Sequence, residues 1–295
     1  RRSGRPLAPA VVWQDRRTAD RCEALKEDGW EGFIRSASGL PIDPYFSATK
    51  FEWMLTHCAA VREAAARGVL CLGTLDSWLL WNMAGGKHVT DASNASRTML
   101  MELESQQWST ELIDLFGIPK TALPAIVHST GKLGKTGPGI GLPAGIPITG
   151  VAGDQQASLF GHLAHDPGAI KVTYGTGAFL LQVAGQERPP DVDGLLTTVA
   201  WHLADGITFA REGSVFVAGG LIQWLRDGLR LIDHAGQCDV LGRRVSNSGG
   251  AVVVPAFVGL GAPHWDPHAR GAIFGLTAGV TSEHICRSAL EAIAH

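Results

Sequence analysis

With 295 residues, 45% of them hydrophobic, and 37 glycines, the chain has the length for two ordinary domains and the texture of a turn-rich α/β protein, which excludes a disordered chain. Its 25 basic and 28 acidic residues are spread along the sequence for a formal charge of -3, leaving no footprint for nucleic acid or an anionic membrane and keeping small neutral or anionic ligands open. Cys22, Cys58, Cys71, Cys238 and Cys286 form no CxxC pair, which excludes a disulfide framework and a zinc site and fits a reducing cytoplasm, and no apolar run reaches the roughly 18 residues of a membrane helix.

The opening "RRSGRPLAPAVVW" is arginine-rich without the apolar core of a signal peptide, and it predicts a hairpin turn leading into a strand. "RRTADRCEALKEDG" and "SATKFEWMLTHCAAVREAAARG" carry apolar residues at helical spacing, the second as one helix closed by Gly68. A capped "TLDSWLLWNMAGG" and "STELIDLFG" continue the helical pattern, and "LPAGIPITGVAGD" predicts a loop feeding a buried strand. After the polar "HLAHDPGA", a natural hinge, the texture changes. "AIKVTYGTGAFLLQVAG", "GLLTTVAWHLADGITFAREG" and "AVVVPAFVGL" are β-rich segments parted by Gly and Asp-Gly turns. "EGSVFVAGGLIQWLRDGL" sets Gly219 and Gly220 inside a helical pattern, where each glycine costs roughly 1 kcal/mol relative to alanine and so points to close packing or close ligand approach. "SEHICRSALEAIAH" is an amphipathic helix without a glycine cap, and both chain ends look cut. Two domains are expected, residues 1–163 and 164–295.

Asp154 lies between an apolar, glycine-broken run and "QQASLFGHLA". Position favours the N-cap of a helix; the competing reading is a carboxylate at the carboxyl end of a strand, where it would accept a proton from a hydroxyl nucleophile, and spacing does not decide between them. "GPGIGLPAG" matches G-x-G-x-x-A at Gly139, Gly141 and Ala144, yet it runs into a strand rather than opening a helix, against a dinucleotide site. "YGTGAF" is a hairpin turn whose N–H groups, with the Thr176 hydroxyl, would also hold phosphate oxygens. Eleven histidines show no paired ligand spacing, so no metal-binding residue is expected, and most of the nine tryptophans are expected in packing.

Taken together and in order, "VVWQDRRTAD", "GLPIDPYFSATKFEWML", "ASNASRTML", "GVAGDQQASLFG", "YGTGAF" and "GLGAPHWDPHARGAIFGLT" resemble the FGGY carbohydrate kinase family, and within it the members that phosphorylate glycerol. Tyr45 to His57, with Ser47, Lys50 and Trp53, is similar to the family's first signature. The resemblance covers essentially the whole chain. It implies an actin-like ATPase fold of two ribonuclease H-like domains, the first binding polyol and the second nucleotide, present here as most of the first and the first half of the second. It also implies transfer of the γ-phosphoryl of ATP to the 3-hydroxyl of glycerol, giving sn-glycerol 3-phosphate, with Mg2+ held mainly through the nucleotide phosphates.

Carried over by resemblance, Asp154 is the general base, with Gln155 a neighbouring glycerol contact. Trp13 and Phe179 are aromatic walls and Tyr45 a hydroxyl ligand. Gly175 and Thr176 form the phosphate turn, and Gly219 and Gln223 touch nucleotide. The family's opening phosphate loop, its Arg-Glu glycerol pair and its adenine-side glycine cluster are not in the sequence, which therefore resembles an internal fragment of a kinase. "GIGLP", with Gly145 at an arginine position, lacks the cations of sugar-bisphosphate-inhibited members, while His264 and His268 stand where tyrosines are frequent. The partners implied are glycerol and ATP in a cytoplasmic homodimer or homotetramer. The alternatives are a xylulokinase- or gluconokinase-like member and a non-catalytic remnant that binds polyol or a partner.

Overall fold

The computed structural model describes residues 3–295. Arg1 and Arg2, the start of the expected hairpin, lie outside the described residues. No strand forms over the remainder of that segment. Asp15 N–H turns back to the Val12 carbonyl at 3.1 Å, and no neighbouring strand offers a ladder to Val11–Trp13.

Helices dominate the early chain: α1 (Ala19–Glu27), α2 (Glu31–Ser38), α3 (Ala48–His57), α4 (Ala59–Ala66) and α5 (Leu75–Met83). The single helix expected from Ala48 to Gly68 is broken at Cys58, whose backbone is extended at φ -102° and ψ 106°. A side chain takes over a carbonyl freed by the break, with Arg62 Nη1 donating to the Thr56 oxygen at 2.6 Å. Thr74 stands at the start of α5 as expected, but its hydroxyl binds the Asp76 carboxylate instead of a helix N–H.

Next come β1 (Val89–Asp91), α6 (Ala92–Ala95), the ribbon β2 (Met101–Glu102) and β3 (Gln107–Trp108), α7 (Thr110–Leu115), β4 (Ala125–Val127), β5 (Thr130–Lys135), β6 (Pro147–Gly150) and α8 (Asp154–Gly161). β1 and β4 pair in parallel, and β5 and β6 form an antiparallel ribbon. The strand expected to be buried, β6, is instead largely exposed, because β5 covers its edge and no layer covers its face.

The largest sheet has the order β7 (Ile170–Tyr174), β8 (Ala178–Gly185), β10 (Gly206–Val215), β9 (Leu196–Leu203). β9 and β10 meet at the anticipated Asp-Gly turn, Asp205 and Gly206. Alternation, interrupted by a bulge at Ala200 opposite Thr208 and Phe209, puts their apolar residues on both faces. Val199 and Phe209 join Ala92, Ala95, Met101 and Leu103 in one buried cluster; Ala200, Trp201 and Ala210 join Leu159, Leu181 and Val183 in another. The strands are thus layered between α6 and α8.

Two compact units share the chain. One holds residues up to Lys171 together with Leu181–Glu212, the other Val172–Leu180 and Gly213–His295. Residues 181–212, which sequence texture groups with the second half, go with the first unit because they complete both clusters. The second unit contains α9 (Gly219–Asp227), α10 (Ala235–Gly242), the antiparallel pair β11 (Val252–Val254) and β12 (Ala272–Phe274), and α11 (Ser282–Ala294). α11 starts with a capping box between Thr281 and His284 and packs closely on α10, where a Cβ at Gly242 would stand 3.1 Å from Leu290. Gly219 and Gly220 open α9 rather than lying inside it, so the interior-glycine cost does not apply to them.

Candidate active site

The segment leading to Asp154 is pinned from below. Asp91, fully buried, caps α6 through Asn94 N–H at 3.0 Å and Ser93 N–H at 3.1 Å, and it accepts hydroxyl bonds from Ser93 and Ser129 at 2.7 and 2.6 Å. The Ser93 oxygen in turn accepts the Gly153 N–H at 2.9 Å. A side chain at Gly153 would meet the Gln156 amide oxygen, so the buried Gln156 side chain packs against the bend before the helix and would have to move aside for a larger residue there.

Gly153 takes the N-cap position of α8, and Asp154 is its first residue. Among the described residues the Asp154 carboxylate accepts from its neighbour, the Gln155 N–H at 2.8 Å and the Gln155 side-chain amide at 3.3 Å, instead of from the amides two and three residues on that a cap serves. It is exposed. Gln155 is fixed from the other side by Lys171, whose Nζ donates to Oε1 at 2.8 Å. Because an ammonium only donates, the Gln155 oxygen must face Lys171 and its NH2 must face Asp154. Lys171 is 6% exposed; burial lowers its pKa while Asp154 and Glu212 oppose the shift.

Glu212 is buried in β10 and pairs with Arg97 at 2.8 Å. Burial works against the Arg97 charge, but Glu212 and Tyr45 outweigh it and raise the guanidinium pKa. The guanidinium carbon stands 5.7 Å from the Tyr45 ring centroid and 5.5 Å from that of Phe46. Arg97 also bonds the Tyr45 hydroxyl, whose oxygen accepts from the guanidinium. Burial, with Glu212 and Asp154 adding to it and Arg97 opposing, raises the Tyr45 pKa to about 12, so the hydroxyl stays protonated at neutral pH. Trp13 meets Tyr45 edge to face at 5.6 Å. Of the residues expected to contact polyol, the first unit therefore gathers Trp13 with Tyr45 and Asp154 with Gln155, and places Tyr45 within electrostatic reach of Asp154.

Phe179 lies in the second unit with Gly175, Thr176, Gly219 and Gln223. There the turn after β7 and the start of α9 are joined backbone to backbone. Ala218 and Gly220 N–H donate to the Thr176 carbonyl at 2.7 and 3.0 Å, and Gly219 N–H donates to the Gly175 carbonyl at 2.9 Å. A Cβ on Gly219 would stand 2.5 Å from the Gly175 oxygen. Gln223 is exposed one turn further along α9, and Phe179 lines the turn near Gly177.

Arg97, Glu212 and Lys171 are absent from the residues expected by sequence. Each carried a faint signal: Arg97 inside "ASNASRTML", Lys171 three residues before "YGTGAF", and Glu212 beside Arg211 as one of two adjacent charges in a β-rich segment. Among the described residues no three His, Cys, Asp or Glu side chains converge on a possible metal position, and no helix is long and apolar enough to cross a membrane.

Two family models match the chain: the N-terminal domain of the FGGY family of carbohydrate kinases over residues 2–161 and its C-terminal domain over residues 170–295. The chain is 55% identical to the glycerol kinase of Thermus brockianus and 51% identical to that of Koribacter versatilis, each match covering 100% of this chain and 59% of the relative. It thus spans 59% of the length of these curated relatives. The crystal structure of Plasmodium falciparum glycerol kinase with ADP superposes at a TM-score of 0.84 and 34% identity, over 99% of this chain and 58% of that one. Ligand-bound xylulose kinase of Lactobacillus acidophilus, at 22% identity and a TM-score of 0.79 over 97% of this chain and 58% of that one, shares the fold.

Proposed function

Because the chain belongs to the FGGY family of carbohydrate kinases, with its α/β fold of the actin-like ATPase type, we propose that the complete gene product transfers the γ-phosphoryl group of ATP to the 3-hydroxyl of glycerol. The observation that carries the chemistry is the Asp154 carboxylate, open to solvent and not engaged as a helix cap. The glycerol oxygen attacks the γ-phosphorus, ADP leaves, and Asp154 takes the hydroxyl proton. Gln155 contacts the polyol from a side-chain orientation imposed by Lys171. Tyr45, its oxygen held by Arg97, serves as a ligand of a polyol hydroxyl, while Trp13 and Phe179 exclude bulkier substrates by shape. Gly175, Thr176, Gly219 and Gln223 serve the nucleotide, and magnesium arrives with the phosphates of its substrate.

The glycerol assignment is supported by relatives at 51–55% identity named for that activity and by the edge-to-face closure of Trp13 on Tyr45. We further assign the complete protein to the cytoplasm as a homodimer or homotetramer, which light scattering on the purified protein tests. A coupled ADP-release assay on the complete gene product with glycerol, xylulose and gluconate tests the activity. Turnover is expected with glycerol above both others, and its absence there overturns the assignment.

A further inference from the structure

Lys50 projects from α3 with only 4% of its surface exposed, a rare place for an ammonium group. Its Nζ donates to the carbonyl of Pro44, to that of Tyr45 at 3.3 Å and to that of Trp13 at 3.5 Å. An ammonium has three N–H donors, and here three backbone carbonyls receive them. Two of the three belong to Trp13 and Tyr45, whose rings meet at 5.6 Å.

We infer that Lys50 is a positioning residue, which ties the Trp13 and Tyr45 backbones into one wall and thereby sets the affinity for the polyol. The inference rests on the glycerol reading of those two side chains. The ionisable groups acting on Lys50 are Asp15, Asp43, Cys22 and Arg16. Burial lowers its pKa to about 8, against the opposing pull of Asp15, Asp43 and Cys22 and with a smaller contribution from Arg16. Loss of the proton leaves two N–H donors for three carbonyls, so the wall loosens on the alkaline side.

Folding stability moves in the opposite direction. The folded pKa of about 8 lies below the ordinary 10.5, so between those values the unfolded chain holds more protons than the folded one, and stability from this group rises with pH. A lysine that merely held the fold together would make polyol affinity follow stability. Opposite trends are therefore the mark of a positioning role.

The test is the glycerol KM of the complete gene product on both sides of pH 8, with thermal unfolding measured in the same buffers. The expected result is a KM rising about fivefold through the transition, the scale of one hydrogen bond, while kcat changes little. Lys50→Met should show the raised KM at every pH and abolish the step. A flat wild-type KM, which needs no variant to fold, overturns the inference, as does a folded Lys50→Met with wild-type KM and an unchanged step. Trp13→Ala separates the two levels. If it raises KM while Lys50→Met does not, the clamp alone is overturned; if it leaves glycerol KM unchanged, the polyol reading falls and takes the clamp with it.

Discussion

At the scale of single residues, Asp154 is exposed and among the described residues accepts hydrogen bonds from Gln155 alone, so replacing it tests chemistry more than folding. Asp154→Asn keeps the shape and is nearly as good at a helix start. It is expected to lower kcat by at least about 100-fold, the scale of general base catalysis, with an unchanged unfolding midpoint; near-wild-type turnover removes Asp154 from the mechanism. Lys171→Met deletes the donor that fixes the Gln155 amide and, by also removing a costly buried charge, should preserve stability while reducing kcat/KM for glycerol by about tenfold. Steady-state kinetics beside a melting curve separate the two effects. Among the thiols, burial raises Cys22 and Cys238 to about 12 and raises Cys286 as well, whereas Cys58 and Cys71 are half-buried. Brief alkylation of the native protein at neutral pH, followed by peptide mapping, should label Cys58 and Cys71 and spare the other three. Asp154, Tyr45 and Trp13 sit in dense motifs, which is why the sequence offers them as candidates for the roles proposed above. Arg97 and Glu212 were not legible there, because a charge pair is buried only by residues more than a hundred positions apart meeting in space.

At the scale of elements, local patterns placed α1, α5, α7 and the β9–β10 hairpin, where spacing and turn residues act within a few positions. They failed at Cys58, where helical periodicity runs on but the Thr56 carbonyl takes its partner from Arg62, and at β6, whose apolar sequence meets no covering layer among the described residues. The Gly219 start of α9 offers a sharper test. At the first position of a helix the interior advantage of alanine does not apply, so propensity alone makes Gly219→Ala near neutral. The contact argues otherwise, since the methyl group would stand 2.5 Å from a backbone oxygen that cannot rotate away. The variant is expected to raise the KM for ATP by about tenfold with little change in that for glycerol, because the displaced turn is the proposed phosphate turn. Varying each substrate in turn reads this directly, and an unchanged KM for ATP counts against the nucleotide role of Gly219.

At the scale of the whole molecule, composition and motif order indicated an α/β protein of two parts, but not the return of Leu181–Glu212 to the first unit. That return is written in which faces of β9 and β10 meet α6 and α8, and such pairing is non-local. It has a measurable consequence. Leu103→Ala removes a fully buried side chain from the cluster shared by α6, β9 and β10, and a loss of about 2–5 kcal/mol is expected. Hydrogen exchange should then accelerate together in Ala92–Ala95 and Leu196–Leu203 while α11 keeps its protection. Acceleration confined to the segment around residue 103 contradicts a shared cooperative unit.

The junction of the β7 turn with α9 also acts as an electrical series circuit. Three amides at the positive end of α9 terminate on the carbonyls of Gly175 and Thr176. Each of those carbonyls belongs to a planar trans peptide whose N–H, on Thr176 or Gly177, points the opposite way. The two peptide dipoles are therefore added head to tail to that of the helix, and its partial positive charge is delivered at the outer rim of the turn, one peptide width beyond the helix itself. On the proposed reading, the γ-phosphoryl group departs from beneath a positive potential built from backbone alone, one that no change of pH can switch off.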